Sequence, residues 1–408
     1  MRSGLCWHWL VALTLLRVCA AAEAPFSRGE FIIPPERVHN HGSCLVETPN
    51  GDLIVCWFHG TGERTADDCK IEGARWRRGA AGWDERFEMA DTPAFPDTNC
   101  CMFIDPQQRL WLIWPTILDN HWESALLKYR RSDDYAGPGA PRWKWQDVIH
   151  VKPGLEFEPT VKAAVERFRP QAGDQKVQEF IDYALAAAGD KLKTRLGWMT
   201  RAHPFVLDGR RLIVPLYSDG FNFSLMAITD DWGATWHTSA PLVGDGNVQP
   251  SIVRRRDGSL YTMMRDNGRP PQRIQQASSF DRGETWTEVT DSALTDPGKG
   301  LEVIALANGH WIVVHNDTDS GRHSLCARVS DDEGKTWKWS RHLERDEPGP
   351  AAGSYSYPSL IQAKDGTVHV TYSYVFAKTN TAIGADARAR ETIKHRQFNE
   401  AWIMAGDR

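Results

Sequence analysis

Three segments of this chain repeat one pattern, S/T-x-D-x-G-x-T-W, at residues 229–236, 279–286 and 330–337. Such a stretch reads as a tight turn between two strands. Its aspartate accepts bonds from turn N–H groups, its glycine takes a positive φ, and its tryptophan anchors the turn on the sheet. The aspartates stand at 231, 281 and 332, hence 50 and 51 residues apart, a spacing that suits one four-stranded sheet per repeat.

A second ladder extends the count. Asn50-Gly51, Asp105-Pro106, Asp208-Gly209, Asp257-Gly258, Asn308-Gly309 and Asp365-Gly366 each precede a short apolar strand. Their intervals are roughly even except between the second and third, where the gap about doubles. That gap carries helical periodicity: Val161, Ala164, Val165 and Phe168, then Val177, Phe180, Ile181, Ala184 and Leu185. Setting aside this insertion, at about 155–197, leaves six turns at one period. The pattern predicts an all-β fold, a six-bladed β-propeller with a helical insertion between the second and third blades. Degenerate copies of the turn motif fall at residues 75–83 and 132–143. Ring closure predicts that a strand at about 398–404 pairs near residues 30–33, because an open sheet edge invites aggregation. Eighteen tryptophans suit a repeat in which each unit needs a large anchor.

The net charge of −5 argues against nucleic acid as a partner. Residues 1–24 read as a secretory signal, with Arg2, an apolar run from Leu5 to Leu16 and small residues at 20–24. The expectation is a mature propeller of residues 25–408, secreted or periplasmic, with lipoprotein anchoring less favoured and no membrane span. Six cysteines remain after the signal: Cys44, Cys56, Cys69, Cys100, Cys101 and Cys326. Without a CxxC pair they read as buried thiols with at most one bridge, and no metal or other cofactor is expected. His39, His41 and His59 form a loose cluster, read as hydrogen-bonded histidines.

The repeated turns are Asp boxes, and on this spacing residues 38–403 resemble the sialidase (neuraminidase) superfamily in its BNR-repeat branch. The resemblance implies an exported glycoside hydrolase of exo-α-sialidase type acting on a carboxylated terminal sugar. It implies an arginine triad for the carboxylate, an aspartate acid/base, and a tyrosine nucleophile assisted by a glutamate. Arg265, ending the strand from Tyr261, matches the second arginine, and Arg322, in Gly321-Arg322-His323, resembles the third. Tyr355 or Tyr357 matches the nucleophile; two residues apart on one strand, they are expected on one side. Asp68, with Asp67 as alternate, resembles the acid/base.

Two positions depart from the family. Where its first arginine would stand the chain reads His39-Asn40-His41-Gly42-Ser43-Cys44, and Gln249 replaces the assisting glutamate. Glutamine cannot take a proton from tyrosine. Arg201 is the candidate third guanidinium and Glu302 the candidate substitute carboxylate, with Gln249 contacting substrate. Two other readings share the fold: a lyase or hydrolase for uronic acids, using a histidine with a tyrosine, and a non-catalytic glycan-binding propeller.

Overall fold

Each of the six turn dipeptides joins the first and second strands of a four-stranded antiparallel sheet. The fold is known from a computed structural model, described over residues 23–171, 173–379 and 388–407. Its six sheets are the six expected blades, spanning residues 39–90, 101–148, 205–238, 247–295, 302–345 and 354–398. Five of the turns place glycine in the left-handed region, as at Gly51 (φ 87°) and Gly258 (φ 89°). In blade two, whose turn lacks glycine, Gln108 takes that conformation (φ 60°).

The three repeated boxes join the third and fourth strands of blades three, four and five. Asp231, Asp281 and Asp332 accept from the backbone N–H of Thr235, Thr285 and Thr336 at 2.8, 2.9 and 2.8 Å. The glycines between them have φ of 89°, 93° and 81°. Every bond of this motif closes within five residues, which is why it shows in sequence.

The ring closes with one strand borrowed from the other end of the chain. Ser27–Phe31 pairs antiparallel with Glu391–Phe398, Ser27 opposite Phe398 and Phe31 opposite Lys394. The closing strand therefore ends where it was expected to begin. Glu400–Met404 is instead a short helix, capped by the Asn399 side chain and burying Trp402 and Ile403.

The insertion forms helices Phe157–Val165 and Gln175–Ala188, linked by a 3-10 turn at Glu166–Gln171. Phe157 packs against Trp198, Phe221 and Phe223 at ring distances of 6.2, 5.5 and 6.1 Å. Burying these rings fastens the insertion to blade three, at roughly 1.5–3 kcal/mol per large apolar side chain. Phe168, Val177 and Phe180 then roof a cavity of about 260 Å³ whose floor includes Asn222, Gly246 and Asn267.

All six cysteines from Cys44 to Cys326 are buried and unbridged. No helix among the described residues is long and apolar enough to cross a membrane. The proposed signal lies, except for residues 23 and 24, outside the described residues.

Candidate functional site

The innermost strands of blades one, four and six, His39–Glu47, Asn247–Arg254 and Ser354–Gln362, share a defect. Pairing slips between His41 and Cys44, between Val248 and Ser251, and between Ser356 and Ser359. One residue at each slip is left-handed: Gly42 (φ 61°), Gln249 (φ 55°) and Tyr357 (φ 54°). A bulge re-aims a side chain, and a non-glycine residue held there costs roughly 1–3 kcal/mol. Asn247-Val248-Gln249-Pro250-Ser251 and Tyr355-Ser356-Tyr357-Pro358-Ser359 are the same local pattern in two blades.

Tyr357 is the meeting point. Arg265 Nη1 donates to its hydroxyl at 3.2 Å. The guanidinium carbons of Arg201 and Arg322 stand 5.1 and 5.4 Å from its ring centre, within cation–π range. His41 meets the same ring edge-on at 4.4 Å. Each arginine is held separately: Arg201, buried, by Pro358 O (2.7 Å), Arg265 by Asn267 Oδ1 (2.9 Å) and Arg322 by Ser356 Oγ (3.3 Å). Gly300 closes the approach between blades, since a Cβ there would lie 2.9 Å from both Gln249 Oε1 and Tyr357 Cδ1. Gln249 Oε1 is itself buried without a hydrogen-bond partner.

The other candidates lie in different surroundings. Tyr355 donates to Asp346 Oδ2 at 2.6 Å and packs on Tyr374, and burial raises its hydroxyl pKa far above the usual range. The bulge at Tyr357 thus overturns the expectation that the two tyrosines face one side. Glu302 is buried; it accepts from the Leu360 N–H (2.6 Å) and pairs with His203 Nδ1 (2.7 Å). Burial opposes its ionisation, but His203 and Arg201 hold its pKa below the usual carboxylate value. Asp68 is exposed, and its slight burial is outweighed by bonds from the Thr61 N–H and hydroxyl, which lower its pKa. Asp67 accepts from Asn120 Nδ2 at 3.1 Å.

Two groups at this site, Asp219 and Tyr217, had no signal beyond their residue type. Asp219, following the strand Arg211–Ser218, has its pKa raised to about 6, by burial above all and against the pull of Arg265. Tyr217 accepts from Asn99 Nδ2 at 3.2 Å, and its pKa is also raised by burial, then by Asp219. Burial, then His39 and the three arginines, hold the His41 pKa well below the imidazole value, so it is neutral. His39 goes the other way. Burial opposes its charge, but Glu391 and Glu63 outweigh it and raise its pKa to about 9.

The profile of BNR repeat-like domains matches residues 189–370. No curated protein matches the chain in sequence. Among solved structures, a Dyadobacter fermentans protein of unknown function is similar at 14% identity and a TM-score of 0.66, over 91% of this chain and 99% of its own. An intramolecular trans-sialidase from Ruminococcus gnavus, in complex with oseltamivir carboxylate, is 14% identical at 0.63, over 90% of this chain and 95% of its own. A leech intramolecular trans-sialidase complexed with 2,7-anhydro-Neu5Ac is 14% identical at 0.66, over 93% and 71%. At such identities the likeness speaks for the fold alone: a six-bladed β-propeller similar to those of the sialidases, with a BNR repeat-like match over residues 189–370.

Proposed function

We propose that this chain is an exported glycoside hydrolase that cleaves a carboxylated terminal sugar at the Tyr357 site. The observation that carries the reading is the convergence of Arg201, Arg265 and Arg322 on one tyrosine. Guanidinium forks bind a carboxylate in two-pronged fashion, and three of them in a protein of net charge −5 favour a small anion. The ligands named for the two trans-sialidases are acidic molecules of this kind.

In this reading the arginines bind and orient the sugar carboxylate. Tyr357 stands at the reacting carbon as nucleophile or as stabiliser of positive charge, and Gln249 contacts the sugar. Proton delivery to the leaving oxygen falls to an aspartate. Asp219 is the better matched, since an acid with a pKa of about 6 is still partly protonated near neutrality. Asp68 is the second candidate, on the loop that also carries Glu63.

Incubation with a fluorogenic sialoside tests the proposal, with Arg265→Ala as the inactive control. No release between pH 4 and 8 would sink it. A β-eliminating lyase for uronic acids is the second reading, favoured by the neutral His41 against Tyr357 where the family has an arginine. Its signature is a rise in ultraviolet absorbance from an unsaturated product. Binding without turnover by either assay supports the glycan-binding reading.

A further inference from the structure

The arginines and Tyr357 leave one side of the site unexplained. On blade one, His39 and His41 lie two apart on the inner strand and so share a side. Glu63 comes down on them from the loop after the strand Leu53–Gly60. One ligand atom from each of His39, His41 and Glu63 lies within 4.8 Å of the other two. His39 Nε2 and Glu63 Oε1 are 3.0 Å apart. These two atoms share a hydrogen bond here; bound to one zinc-like ion at about 2.0–2.2 Å in tetrahedral geometry they would sit about 3.3–3.6 Å apart, so an ion replacing that proton needs them to part by only a few tenths of an ångström.

The surroundings have the other marks of a metal centre. His41 is 5% exposed, yet its Nδ1 has no hydrogen-bond partner. Glu391 Oε2 lies 3.5 Å from His39 Nδ1 and is likewise buried without a hydrogen bond. A carboxylate behind the far nitrogen of a ligating histidine fixes its tautomer and raises its basicity. Phe58 packs against both imidazoles, at 5.7 Å from His39 and 5.5 Å from His41. Gly42 allows this close floor, because a Cβ there would lie 2.6 Å from the Phe58 ring.

We infer that His39, His41 and Glu63 bind a divalent cation of the zinc class beside Tyr357. Two imidazoles and one carboxylate are a three-ligand set that leaves a coordination position open. His41 lies against Tyr357, which puts the ion within one ligand's reach of the arginine cluster, so an anionic sugar held by the arginines can supply the next oxygen. The ion and the arginines then share the negative charge of one ligand. The cluster expected from sequence to be merely hydrogen-bonded is thereby a binding site, with Glu63 in place of His59. This inference does not depend on whether the site hydrolyses, eliminates or only binds.

The test is titration of the chelator-treated full chain with Zn²⁺ by calorimetry, with Co²⁺ absorption as a second readout. One ion per chain is expected, with a Co²⁺ spectrum free of thiolate charge transfer. Glu63→Gln, nearly isosteric and on a loop, removes a direct ligand and should weaken Zn²⁺ by at least about 100-fold, while the apo protein, losing only the His39–Glu63 ion pair, should still fold and unfold cooperatively. His41→Ala should do the same to Zn²⁺. The described residues hold one other such cluster, Asp317, Cys326 and His342, which serves as the control. Failure to bind Zn²⁺, binding indifferent to both substitutions, or binding abolished by His342→Ala instead would each overturn the assignment.

Discussion

Arg265 donates from Nη1 to the hydroxyl of Tyr357 across 3.2 Å, joining blade four to blade six through residues 92 positions apart. The bond places a guanidinium at the edge of the ring that two other arginines face, and it ties the catalytic proposal to a measurable pair.

Arg265→Ala is expected to weaken binding or turnover of an acidic sugar by roughly 2–5 kcal/mol, the range for truncating one partner of a buried charged contact. Arg265→Lys keeps the charge but loses the fork and should recover little. A double-mutant cycle with Tyr357→Phe, read by ligand calorimetry, should give a coupling well above zero. Additive effects would separate the two residues.

The contribution of three buried aspartates to stability should fall as pH rises from about 4 to 7. Burial raises the carboxyl pKa of Asp219 to about 6, of Asp266 to about 7 and of Asp296 to about 6, each from 3.8. The folded state therefore binds protons that the unfolded state has released, so the contribution is complete below about pH 4 and is lost by about pH 7. Asp219→Asn, which keeps a neutral side chain at every pH, should escape this loss and be more stable than the wild type at pH 7.5 by on the order of 3 kcal/mol, with little difference at pH 4.5. Urea unfolding at pH 4.5 and 7.5 checks the sign. If Asp219 is also the acid, kcat/KM falls through about pH 6 and the substitution flattens that limb.

Glu302→Gln is expected to cost roughly 3–5 kcal/mol of stability, because it leaves the His203 imidazolium buried without its carboxylate. Ligand affinity at the Tyr357 site should change little. The opposite outcome, unchanged stability with lost turnover, would make Glu302 the carboxylate that assists the tyrosine.

Asp281→Ala breaks the turn of blade four by removing the acceptor for the Thr285 N–H at 2.9 Å and the Ser279 hydroxyl at 2.9 Å. A loss of roughly 1.5–3 kcal/mol is expected, the range for hydrogen bonds to a charged group. Turnover should survive at temperatures where the variant stays folded, since this turn joins the two outer strands of its blade. Thermal unfolding and activity measured together check both halves.

Sequence by itself determined the blades. The box turns and the turn dipeptides are held by bonds spanning two to five residues, so their geometry repeats wherever their residues repeat, and the insertion shows as a break in the period. Only the tertiary structure decided the site. Tyr355 and Tyr357 differ by two positions, but a left-handed backbone at Tyr357 sends one ring to the arginines and leaves the other on Asp346. Glu302 is claimed by His203, 99 residues away, and the acidity of Asp219 is set mainly by burial. The site collects side chains from blades one, three, four, five and six, and no local pattern records which of them arrive.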